Sequence, residues 1–199
     1  MSIETSKAQD QVSAGLITNP KGGESASAGG IFTVTCIGAD GQEKWKDSFH
    51  NLVVNEGLQD MNAKYFEGSS YTAAWYLGLV SGATSPSYAA GNTLASHAGW
   101  TELVAGTAYS TSGGSVRATV TWNAASPTLA DPSVASNSVA PSAFSMLVNS
   151  TTVAGAFLTT AASGTSGILF SVGSFTGGNK AVDSGDTLNV TYQFSLDAA

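Results

Sequence analysis

The chain predicts a mainly β fold: a jelly-roll-like β-sandwich with one short α-helix at about residues 55–66 and an extended N-terminal arm. Three observations carry this. Eight or nine short runs are rich in β-branched and aromatic residues, which fit a pleated surface. Turn signals built from Gly, Asp and Pro separate them at fairly regular spacing. Only one stretch repeats its apolar residues at helical period. Composition agrees, because charged residues make up 11% of 199 and Gly alone contributes 23. Few charges and many small residues suit short strands, tight turns and faces covered by other subunits, and do not suit a helical bundle.

Residues 1–30 show no sustained apolar periodicity and read as an extended or flexible arm ahead of a single domain over 31–199. Leu16 and Ile17 offer an apolar anchor within that polar segment, which favours an arm ordered on a partner over a disordered terminus. Ile31 to Ile37 is the first strand, Asp40-Gly41 a hairpin turn, and Glu43 to Phe49 its partner with one wet face. Leu52 to Val54 ends a strand. Asn55 then predicts an N-cap, Leu58, Met61 and Tyr65 an apolar stripe facing the sandwich, and Gly68 a stop.

Ala73 to Val80 is continuously apolar and predicts the most buried strand. The polar segment from Ser81 to about His97, with Pro86, is long enough to be functional or mobile, and Gly99 to Leu103 follows as a short strand or bulge. Val116 to Trp122 alternates as a half-buried strand. Residues 123–141 are loop-like, with Pro127, Pro132 and Pro141. Strands at about 143–148, 153–159, 168–175 and 188–196 close the chain, the last behind an Asp183–Asp186 turn. No internal repeat points to a propeller or solenoid. An immunoglobulin-like sandwich is the runner-up, and it ordinarily needs neither the helix nor such long connections.

Net charge is −7 with a pI near 4.5, and the seven basic residues are scattered. No cluster neutralises a row of phosphates or meets an anionic membrane, so neither nucleic acid nor membrane is expected as a partner. Cys36, the one cysteine, lies in an apolar run and reads as a small buried hydrophobe. The start carries no basic-then-apolar signal pattern, and a soluble protein made in a reducing cytoplasm is expected. With two histidines, His50 and His97, a His-rich metal site is not expected. His97 with Glu102 would form an acid–base pair, yet no Gly-x-Ser-x-Gly elbow accompanies it. We read His97 as ordering the end of the long loop and His50 as fixing the strand-to-helix corner. Asp183 with Asp186 and Asp40 with Glu43 lack calcium-loop spacing and suit turns. Among the tryptophans, Trp75 and Trp122 predict core packing. Trp100 is the one best placed for an exposed or interfacial ring, although burial is the default there too. No catalytic, cofactor or metal site is expected, and a carbohydrate-active enzyme built on Glu102 or Asp186 stays a distant reading.

Several motifs combine into a resemblance. They are Gly30-Ile31-Phe32-Thr33-Val34-Thr35-Cys36, Asp40-Gly41, Lys44-Trp45, Asn51-Leu52-Val53-Val54-Asn55-Glu56-Gly57-Leu58, Trp75-Tyr76-Leu77-Gly78-Leu79, His97-Ala98-Gly99-Trp100-Thr101-Glu102, Gly155-Ala156-Phe157-Leu158, and the run from Ser184 to Tyr192. Over residues 30–196 the chain resembles a family of small virion structural proteins of tailed bacteriophages, most closely head decoration (cement) proteins of jelly-roll type. The resemblance implies a protein made in the host bacterial cytoplasm that binds the outer capsid surface. It would stabilise the head by bridging capsid subunits, with the major capsid protein as partner and trimers as the expected assembly. It implies no enzyme activity and no cofactor. Leu16, Ile17, Pro86, Trp100 and Pro132 are the candidate partner-binding residues. The alternative is a tail-fibre or receptor-binding module that recognises host surface glycan.

Overall fold

The computed structural model describes residues 26–71, 74–124 and 132–198. In chain order the first elements are β1 (Ala26–Ile37), β2 (Glu43–His50), β3 (Leu52–Val53), α1 (Asn55–Tyr65), β4 (Tyr76–Ser81), β5 (Tyr109–Ser110) and β6 (Ala118–Thr119). They are followed by β7 (Ser133–Ser136), β8 (Ser142–Met146), β9 (Thr151–Thr159), β10 (Leu169–Ser174), β11 (Lys180–Val182) and β12 (Thr187–Ala198). Two antiparallel sheets form a β-sandwich. The first runs β2-β1-β12-β8-β5, with β7 also on β12, and the second runs β3-β10-β9-β4-β6, with β11 also on β9.

The sheets differ in how their strands are buried, and the cause is what covers their outer faces. In the first sheet β8 alternates buried and exposed, as expected when one face meets water. In the second sheet every residue of β4 after Tyr76 is buried, as is every residue of β9 from Val153 onward. Between the sheets lies the main core, where Phe32, Val34, Phe144, Leu188 and Tyr192 meet Leu77, Leu79, Val153 and Leu158. Behind the second sheet lies another core of Val80, Leu94, Trp100, Ala154, Phe157 and Val172. Leu94 and Trp100 come from the long segment after β4, so that segment is the lid of the second core. The apolar run predicted to be the most buried strand is therefore two-sided for a specific reason.

The hairpin at Asp40-Gly41 is confirmed. Gly41 has φ +80°, and the Asp40 carboxylate accepts from the Gln42 N–H at 3.0 Å. β1 begins at Ala26, so residues 26–30, read from sequence as the end of the arm, are strand paired with β12 from Ala26↔Ala198 to Gly30↔Phe194. The Val116–Trp122 run keeps its alternation from Ala118 to Val120 but pairs only over Ala118–Thr119.

The helix is where sequence reasoning went astray. Val54, not Asn55, occupies the N-cap position and makes no side-chain cap. The Asn55 N–H instead donates to Ala90 O at 2.8 Å, and the Glu56 carboxylate accepts from the Leu94 and Leu169 N–H groups at 3.1 and 2.7 Å. The loop thus caps the helix from outside. The stripe of Leu58, Met61 and Tyr65 splits: Leu58 is 39% and Tyr65 83% exposed and neither faces the core, whereas Met61 is half-buried and packs against the main core. Gly57 is the buried residue of α1. A Cβ there would lie 2.6 Å from Phe170 O, so only glycine lets the helix approach β10 this closely.

Candidate binding groove

Along β12 the inward series Leu188, Val190 and Tyr192 is fully buried, Phe194 is half-buried and Leu196 is exposed. The core therefore opens at one end of the sandwich. There Phe194 meets Phe170 at 5.2 Å between ring centroids, Phe170 meets Trp75 at 5.4 Å, and Trp75 meets Trp122 at 6.5 Å, all edge to face. The Trp75 indole N–H donates to the Tyr71 hydroxyl at 3.4 Å. Met61 of α1 completes a cavity of about 270 Å³ in front of these rings. An adjoining cavity of about 510 Å³ runs outward between Leu196 and the helix end, lined by Tyr65, Phe66, Tyr71 and Trp75.

While α1 packs on β10 through Gly57, its Met61 and Tyr65 line this groove. Phe66 is 78% exposed and sits edge-on against Tyr65. The charged lip is small: Lys64 lies 3.9 Å from Asp60 and also donates to Ser70 O. Rings and methylenes on both walls with one ion pair at the rim make a surface for apolar or stacking ligands.

The acidic and histidine candidates are held elsewhere. His97 stacks on Trp100 at 4.1 Å and its Nδ1 lies 3.0 Å from Thr93 O, which fits the reading that it orders the long loop. Glu102 is bound bidentately by Arg117, at 2.8 and 2.6 Å. Arg117, the one arginine, also donates to Ala161 O and Gly164 O and lies 5.3 Å over the Phe157 ring. Asp186 accepts from Lys44 at 2.8 Å and from the Asp183 N–H at 2.9 Å. Burial pushes its carboxyl up, but these donors outweigh that and hold it below the usual range. Cys36 is buried, and desolvation with the Asp186 charge pushes its thiol up to about 11. Asp47 is likewise held below the usual range, where bonds from Thr176 and Gly177 and the Lys180 charge outweigh burial. Among the described residues no three His, Cys, Asp or Glu side chains are grouped to hold a metal ion, and no helix is long and apolar enough to cross a membrane.

The residues nominated for partner binding scatter. Leu16 and Ile17 lie outside the described residues. Pro86 is half-buried in the long loop. Trp100 is not an exposed ring: it is 2% exposed, its indole donates to Asn92 Oδ1 at 3.2 Å, and it anchors the second core. Pro132 is exposed and adjoins the groove, because the next residue, Ser133, pairs with Leu196. Trp75 and Trp122, expected to pack in the core, are half-buried: both pack against the main core and also line the groove. His50 is exposed, and the corner after β2 is fixed by Asn51, whose amide donates to the Tyr192 hydroxyl at 2.8 Å. The aromatic density of residues 65–75 was the available signal for the groove. Helical spacing alone pointed that face inward.

Comparison of the chain with protein-family models, curated proteins and solved structures finds no match.

Proposed function

We propose that this chain is a structural protein of a bacteriophage virion, a decoration or cement protein that binds the outer capsid surface and bridges capsid subunits. The motif resemblance over residues 30–196 motivates the reading, and the fold is compatible with it. The observation that carries it is the concentration of exposed apolar surface around one end of a chain with few charges, where Tyr65, Phe66, Tyr71 and Leu196 lie open. Such a patch marks an interaction site. The acids that sequence would nominate for hydrolysis, Glu102 and Asp186, are committed to Arg117 and Lys44. Trimeric association, with the major capsid protein as partner, follows from the lattice such a protein would cover.

A second reading is favoured by one feature, the pair of half-exposed indoles Trp75 and Trp122, which suits stacking on sugar rings. It makes the chain a tail-fibre or receptor-binding module for host glycan. Immunogold labelling of purified particles separates the two. Label on the heads is the expected result, label on the tail tip supports the glycan module, and particles without label overturn both.

A further inference from the structure

Helix α1 carries its charge on the wrong side for a helix that faces only water. Its exposed residues, with the exposed Phe66 just after it, are Asn55, Leu58, Gln59, Asn62, Tyr65 and Phe66. Steps of three and four connect them, so they form one stripe along the outside, and none is charged. The charged residues Glu56, Asp60 and Lys64 are four apart and lie against the body of the protein. Glu56 accepts from the Leu94 and Leu169 N–H groups, and the side chains of Asp60 and Lys64 are 13% and 30% exposed. A solvated helix shows the reverse, with its charges opposite the packed side. The stripe is also complementary to itself. Laid antiparallel on a second α1 about a two-fold axis through Asn62, it sets Leu58 opposite Phe66, Gln59 opposite Tyr65 and Asn62 opposite Asn62. The exposed apolar side chains then cover one another, and the two Asn62 amides are placed to exchange hydrogen bonds. No charged side chain of α1 enters the contact, which matters for two chains of net charge −7 each. The 11 residues of α1 span about 16 Å, too little for a standard interface of about 1,600 Å². Tyr71 and Leu196, exposed beside the helix end, extend the contact, and a reversible pair is expected.

We propose that the outward stripe of α1 docks on the same stripe of a second copy, in an antiparallel two-fold pair centred on Asn62. The pair does not rest on the virion reading. A threefold assembly would need a different face, because a self-complementary patch is filled by one partner.

Sedimentation equilibrium of the full chain reads the pair as a mass that rises from one chain to two with concentration. Asn62→Asp and Asn62→Lys each place like charges on the axis, and each alone is expected to remain a single chain. Mixed in equal amounts they restore the two-chain mass, because opposite charges then meet across the axis. Asn62 is exposed, so both variants keep the wild-type melting curve at concentrations where the wild type is single. That separates loss of the pair from loss of the fold. A wild type that stays a single chain up to about 1 mM, the weak limit of a specific contact, overturns the proposal. A wild-type mass that converges on three chains, an Asn62→Asp variant that still pairs, or a mixture that stays single overturns it too. None of these masses depends on where the protein sits in a particle.

Discussion

Gly57 and Arg117 carry structural weight out of proportion to their number. Gly57 sets how close α1 comes to β10, and any Cβ meets the Phe170 backbone, which has no flexible end to yield. Gly57→Ala is therefore expected to destabilise the fold by about 1–3 kcal/mol, as overpacking does, although alanine is the better helix former. Urea denaturation reads this, and an unchanged midpoint would show that the helix is free to move away. The Arg117 side chain is 4% exposed, and it donates to Glu102 and to the carbonyls of Ala161 and Gly164. Arg117→Ala removes one partner of a largely buried pair, and a loss of about 3 kcal/mol is expected. Arg117→Met with Glu102→Gln should recover part of it in the same denaturation series. Spacing gave no hint of either role, because both depend on backbone that is distant in sequence.

At the scale of elements, the long segment after β4 and the helix exchange their expected roles. The segment reads as a polar loop, yet Leu94 and Trp100 make it the cover of the second sheet, and Tyr88 bonds Ser174 on β10 at 2.7 Å. Trp100→Ala is expected to cost about 3–5 kcal/mol and to raise amide hydrogen exchange across residues 82–101 and along β9. A large loss of stability with exchange unchanged in β9 would contradict the lid role. The helix reads as packed through Leu58 and Tyr65, yet both are exposed. Leu58→Ser and Tyr65→Ser should each change stability by no more than about 0.5 kcal/mol, the surface range. A loss of 2 kcal/mol for Tyr65→Ser in thermal or urea unfolding would show that the ring is buried after all.

At the scale of the molecule, two carboxylates tie the hairpins together. Asp47 on β2 holds the turn at Thr176–Gly177 and Lys180, and Asp186 before β12 holds Lys44. Both are held below the ordinary value of 3.8 in the folded chain. The unfolded chain then binds more protons as pH approaches that value, so stability is full above about pH 5 and falls as pH drops through the native titration. Melting temperature should decline from pH 6 to pH 3, and Asp47→Asn should flatten part of that decline at lower overall stability. An undiminished slope in the variant would remove Asp47 from the account.

What could be read in the sequence was whatever repeats locally. Period-two alternation placed the strands at 116–122 and 188–196, β-branched and aromatic enrichment placed the one at 31–37, Asp-Gly chemistry placed the first hairpin turn, and scarce scattered charge argued against nucleic acid. The sandwich follows from those local signals, since a half-apolar strand has to bury its face against another layer. Three things were decided only by the tertiary structure: the two-sided burial of the second sheet, the inversion of the helix, and the groove. Each depends on which surface is already covered when another arrives. Gly57 lets α1 lie close on β10, and with contact distance setting the helix's orientation Leu58 and Tyr65 are left outward while Met61 alone of the stripe packs on the core. The opening beside Leu196 exists because β12 carries its inward residues past the point where the core closes over them.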